Sequence, residues 1–147
     1  ILTCLKDISF GRSLNFKFHP VTNVERYRDM IYGKAKVVEG DMYTHFKRAR
    51  MVIGAATGAV VEAASLGIPV INIVNKSELS FNYLPDYGKG IIWDSVATDV
   101  ELLGLIEKFD YALENDGANL AESGTKIKEM CFCEPTDQKI IEAFDLV

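Results

Sequence analysis

A chain of 147 residues, 48% apolar and 25% charged, has the size and make-up of one globular domain with a sizeable core, which excludes a disordered chain. Its longest apolar runs, around Met51 to Ile53 and Val70 to Val74, are far too short to cross a bilayer, and no charged-then-apolar leader precedes a small-residue cleavage site, so a cytoplasmic location is expected. The net charge is −5 and no aromatic-and-basic RNA-binding signature is present, which argues against nucleic acid as a partner.

In chain order, Ile1, Leu2, Leu5 and Ile8 recur at helical spacing and predict the end of an amphipathic helix, with a strand as the alternative. No Met opens the chain and no strand precedes this helix, so a piece of a larger protein is expected. Asn15 to His19 alternates polar and aromatic residues and stops at Pro20, which predicts a strand with His19 at its carboxyl end. Val24 to Ile31 is the next helix. Lys36 to Glu39 predicts a short strand, and Asp41 is placed to cap a helix through Ala49 that carries Tyr43, Phe46 and Ala49.

The centre of the chain is the stretch from Arg50 to Val74. Two short apolar runs, Met51 to Ile53 and Val70 to Val74, have the character of buried parallel strands, and Ala59 to Leu66 between them contains no residue hostile to a helix. Thr57 and Gly58 stand where a helix cap stands, Gly67 fits the helix end and Pro69 blocks its continuation. This predicts a βαβ unit. Its small, glycine-containing turn offers backbone N–H groups at the positive end of a helix dipole, a seat for phosphate.

Beyond the unit come a polar loop, Asn75 to Asn82, a turn-rich stretch from Tyr83 to Gly90, and an edge strand from Ile91 to Trp93. Thr98 or Asp99 caps a helix through Leu113 with Leu102, Leu103, Ile106 and Phe109 on one stripe. A second helix runs from about Leu120 to Met130, and Pro135 and Thr136 open a last one, Asp137 to Phe144. Cys4, Cys131 and Cys133 are an odd number with no second pair near the Cys-x-Cys, a poor zinc pattern, so reduced thiols are expected. No Asp-x-Asp cluster or other metal signature is present, and no metal is expected.

Charge is divided unevenly along the chain. Residues 1 to 50 hold ten Lys and Arg against five Asp and Glu, and the remainder holds six against sixteen. Solvated helix faces account for such runs, and local attraction for a small phosphorylated ligand is the sharper alternative.

The residues Phe18-His19-Pro20, Gly40-Asp41-Met42, Ala56-Thr57-Gly58-Ala59 and Glu62-Ala63-Ala64-Ser65-Leu66-Gly67-Ile68-Pro69-Val70 resemble the carboxyl-terminal, donor-binding half of GT-B glycosyltransferases. They are also similar to the matching half of UDP-GlcNAc 2-epimerases. The resemblance covers most of the chain. It implies an α/β domain with a Rossmann-like open parallel sheet and helices on both faces, a single nucleotide-sugar-binding domain over residues 1–147. The nucleotide-sugar would be a substrate rather than a cofactor. His-Pro after a strand recurs in transferases of bacterial capsule, sialic acid polymers and teichoic acid, which points to surface polysaccharide synthesis.

The same resemblance assigns roles. Thr57, Gly58 and Ala59 would receive the diphosphate, Glu62 would accept hydrogen bonds from the two ribose hydroxyls, and His19 would meet the donor phosphates. Backbone from Val38 to Met42 would border the base, with Met42 as a soft contact, and Asn82 would reach the donor sugar or phosphate, although the usual neighbouring Gln is missing. Each has a plainer alternative: an ordinary βα turn, a salt-bridged Glu62, a loop histidine, a core methionine. His45 reads as structural. The general base of an inverting enzyme would lie on a missing amino-terminal acceptor domain or a partner subunit, and any membrane association would run through that part.

Two other functions compete. A 2-epimerase signature has a consecutive acidic pair after the glycine turn and an Arg-containing loop behind the next strand, whereas here Glu62 is single and Asn75 to Asn82 holds no Arg. A non-catalytic nucleotide-sugar-binding module acting with a separate acceptor subunit is the second.

Overall fold

The stretch from Met51 to Val74 folds as a βαβ unit. The computed structural model describes residues 13–31, 35–75, 77 and 81–144. The helix expected at Ile1 to Ile8, and Cys4 within it, lie outside these residues.

The elements in chain order are β1 (Asn15–Phe16), a 3-10 turn (Val24–Tyr27) running into α1 (Arg28–Ile31), β2 (Lys36–Val37), α2 (Met42–Phe46), β3 (Val52–Gly54), α3 (Ala59–Ser65), β4 (Val70–Ile73), β5 (Trp93–Val96), α4 (Asp99–Asn115), α5 (Gly117–Cys131) and α6 (Asp137–Phe144). Strands and helices alternate from β1 to β4, β5 follows β4 with no helix between them among the described residues, and the last three elements are helices. All strand pairs among the described residues are parallel, and the fold is α/β. The described strands form two sheets rather than one, β1–β2 and β3–β4–β5.

In the larger sheet, Val52 pairs with Val70 and Ile71 with Asp94. Successive residues of a strand face opposite sides, and both sides are covered. Val52, Val70 and Trp93 join α3 and α5 through Val60, Val61, Ala63, Ala64, Leu120 and Ile127. Ile53, Ile71, Ile73 and Val96 join α4 through Leu102, Leu105, Ile106 and Phe109. Helices therefore cover both faces of a parallel sheet. Val70, Ile71, Leu102, Phe109 and Ile127 are fully buried, each stabilising the fold by roughly 1.5–3 kcal/mol.

Several boundaries differ from the sequence expectation, each for a local reason. α2 stops at Phe46 instead of Ala49 because the following N–H groups tighten to i→i−3 bonds, Arg48 to His45 and Ala49 to Phe46. β5 begins at Trp93, where a strand from Ile91 to Trp93 was expected. The N–H groups of Ile91 and Ile92 both donate to the Gly88 carbonyl, and this turn uses the left-handed Gly88 and Gly90, at φ 79° and 78°. On α4, Leu105 takes the buried place expected of Leu103, which is 39% exposed. The α4 start is a full capping box: Thr98 accepts from the Glu101 N–H at 3.2 Å and Glu101 accepts from the Thr98 N–H at 3.0 Å. α6 has the expected bounds and buries none of its residues. Among the described residues no helix is long and apolar enough to cross a membrane.

Candidate functional site

Open parallel sheets bind ligands beyond the carboxyl ends of their strands, where the backbone diverges into loops. At those ends of β1 and β2 lies a cleft of about 350 Å³, at the lower end of the range for small-molecule sites. Lys17, Phe18, His19 and Pro20 form one wall and Val37, Val38, Glu39 and Gly40 the other, with Val24 closing it from the start of the 3-10 turn. The sheet register sets the walls opposite each other: Phe16 pairs with Val37, and the Val38 N–H donates to the Phe16 carbonyl at 2.9 Å.

His19 is exposed at the mouth. Its carbonyl accepts from the Thr22 N–H at 2.9 Å in a turn with Pro20 at the second position, where a fixed φ is favourable. Its Nδ1 accepts from the Val21 N–H at 3.4 Å, which leaves the proton of the neutral ring on Nε2, available as a donor. Behind Phe18 an aromatic row continues, with Phe16 at 5.3 Å and Tyr27 at 5.5 Å between ring centroids.

The opposite wall is fixed from α2. Asp41 caps that helix by accepting from the Thr44 N–H at 3.0 Å, and Gly40 before it is left-handed at φ 90°. His45 Nε2 donates to the Glu39 carbonyl at 2.8 Å, tying the helix to the strand exit, a structural role. Met42 is partly buried and packs against the core beside α3 and α5.

The β3–α3 turn is a separate place in the fold. Gly54 is required by close packing, since a Cβ there would meet Val60 Cγ1 at 2.6 Å. Ala56 sits at φ 43°, a left-handed conformation costly for a residue with a Cβ. The N–H groups of Ala59, Val60 and Val61 are taken within the turn by Thr57 Oγ1, the Thr57 carbonyl and the Gly58 carbonyl, at 3.4, 3.3 and 3.0 Å. Of the expected phosphate donors Thr57, Gly58 and Ala59, the Ala59 N–H is the one engaged by these bonds. Gly58 is exposed and helical, with open space where a side chain would stand.

Glu62, in the first turn of α3, faces Tyr43 of α2. A hydrogen bond to the Glu62 carboxylate, and then its charge, raise the Tyr43 pKa above the ordinary tyrosine value. Asn82 stands on the loop before β5, and its side chain serves that loop: Oδ1 accepts from the Leu84 N–H at 3.1 Å and Nδ2 donates to the Leu84 carbonyl at 3.2 Å. Oδ1 also receives Nδ2 of Asn72, a buried amide of β4, at 3.4 Å.

The structure thus brings His19 and the Val38–Gly40 backbone into one cleft, and sets Thr57, Gly58, Ala59, Glu62, Met42 and Asn82 outside its lining. Lys17, Tyr43 and Asn72 were not singled out from the sequence. The signal for Asn72 was legible, a polar residue inside an apolar strand; those for Lys17 and Tyr43 were not, because their neighbours come from other segments. Among the described residues no three or more His, Cys, Asp or Glu side chains gather as a metal site would. Compared with protein-family models, with curated proteins and with solved structures, the chain matches none.

Proposed function

We propose that the chain is the donor-binding domain of a GT-B-type glycosyltransferase that uses a nucleotide-activated sugar in surface polysaccharide synthesis. The observation that carries this reading is the cleft at the carboxyl ends of β1 and β2, which His19 and the segment Val38 to Gly40 line together. Those two segments hold two of the four motifs that resemble the GT-B donor half, and they lie twenty residues apart in the chain. Two further features support the reading: the parallel α/β order with helices on both faces of the larger sheet, and the Glu62 carboxylate set beside the Tyr43 phenol. A carboxylate able to accept from a phenol is chemically suited to accept from a ribose diol.

In this role His19 Nε2–H donates to the phosphate of the donor and stabilises the charge on the departing nucleotide, while the backbone beyond β2 borders the base. The acceptor and the general base come from a second domain or partner subunit. The test is isothermal titration of the chain with UDP, GDP, CMP and CDP-glycerol, followed by His19→Ala. Binding of one nucleotide that weakens at least tenfold in the variant supports the assignment. The absence of binding by every nucleotide overturns it.

A further inference from the structure

Lys17 lines the same cleft two residues before His19, and it is partly buried. Among the described residues its ammonium makes no ion pair and no hydrogen bond. A lysine whose stem lies along the cleft wall holds its ammonium near the cleft, where an anion that enters gains a counter-charge. Among the described residues of the lining the one acidic side chain, Glu39, is exposed and sits across the cleft on the β2 side. It offers a weak, solvent-screened attraction rather than a salt bridge.

We propose that Lys17 is a phosphate-binding residue of this cleft and sets its preference for a diphosphate over a monophosphate or an uncharged nucleoside. The inference rests on the nucleotide reading above and adds to it the group that reads the ligand's charge. Two donors in the lining, the Lys17 ammonium and His19 Nε2–H, suit two phosphate groups in series. The ring of Phe18 and the side chains of Val24, Val37 and Val38 supply an apolar body beside them. A lysine acts on phosphate as a point charge, so its contribution grows with ligand charge and is weakened by salt.

The test uses the whole chain and Lys17→Met, which keeps an unbranched apolar stem of similar length and leaves the fold unstrained at a partly exposed position. Each protein is titrated with UDP, GDP and CDP, with the corresponding monophosphates and nucleosides, and with inorganic pyrophosphate, at low and at high salt. The expected result is a loss of at least tenfold for the diphosphate, a smaller loss for the monophosphate and no change for the nucleoside, with the diphosphate preference of the wild type shrinking as salt rises. Nucleotide binding that is equal in wild type and variant overturns the Lys17 assignment and leaves the nucleotide reading standing. Pyrophosphate binding that depends on Lys17, without binding of any nucleotide, keeps the Lys17 assignment and overturns the nucleotide reading. Failure of the wild type to bind either class overturns both.

Discussion

The Tyr43 phenol on α2 lies beside the Glu62 carboxylate on α3, and hydrogen bonding to that carboxylate, then its charge, hold the phenol above its ordinary pKa of 10.0. The pair joins the helix that follows the cleft wall to the helix of the central βαβ unit. It sets a phenol beside the carboxylate that a ribose would need in the proposed role.

Glu62→Gln removes the charge and is expected to return the Tyr43 pKa toward 10.0, as read by a carbon-13 titration of the tyrosine rings with Tyr43→Phe supplying the assignment. A raised pKa means that the folded chain holds the proton more tightly than the unfolded one. The contact therefore contributes fully below the unfolded value and is lost as pH climbs through the folded value. If Glu62 also accepts from a ribose, Glu62→Gln weakens a ribonucleotide by about 1.5–3 kcal/mol. Combining it with a 2′-deoxy ligand costs less than the sum of the two changes, because both remove one interaction. Wild-type ratios of ribo to deoxyribo affinity in the variant would remove Glu62 from the site.

Ala56→Gly is expected to stabilise the fold. At φ 43° the alanine Cβ costs about 1–2 kcal/mol that glycine does not incur, and the looser unfolded chain of the glycine variant offsets about 0.4–1 kcal/mol of it. The net gain, about 0.5–1 kcal/mol, is read as a higher urea midpoint at unchanged slope. A lower midpoint would mean that Ala56 does not hold this conformation in solution.

Gly124→Ala and Gly104→Ala are expected to have opposite signs, although both put alanine into a helix. On α5 a Cβ at Gly124 would meet the Gly67 nitrogen at 2.5 Å, the Gly67 Cα at 2.7 Å and the Ala64 carbonyl at 2.9 Å, all backbone atoms at the end of α3. Overpacking there outweighs the better helix propensity, for a net loss of about 1–2 kcal/mol. On α4 a Cβ at Gly104 meets nothing within 4 Å, so propensity alone acts and stability rises by up to about 1 kcal/mol. Urea titration of both variants checks the pair.

The sequence by itself determined the order and kind of most elements, because their signals are local. Asp41 and Thr98 cap their helices through bonds to residues three positions on, and Pro135 and Thr136 mark the start of α6 from within four residues. The apolar runs of β3 and β4 announce a sheet buried on both faces, since each successive side chain must find a core. What the tertiary structure alone decided is which distant groups meet. Lys17 and Glu39 face one cleft because β1 and β2 run parallel in one register; Tyr43 reaches Glu62 because α2 and α3 lie side by side; Gly124 must lack a side chain because α5 crosses the end of α3. Even the start of β5 was set by the turn at Gly88, whose carbonyl collects the N–H groups of two isoleucines that by composition alone read as strand. Composition and spacing describe a residue's neighbours along the chain, and a binding site is made of neighbours across it.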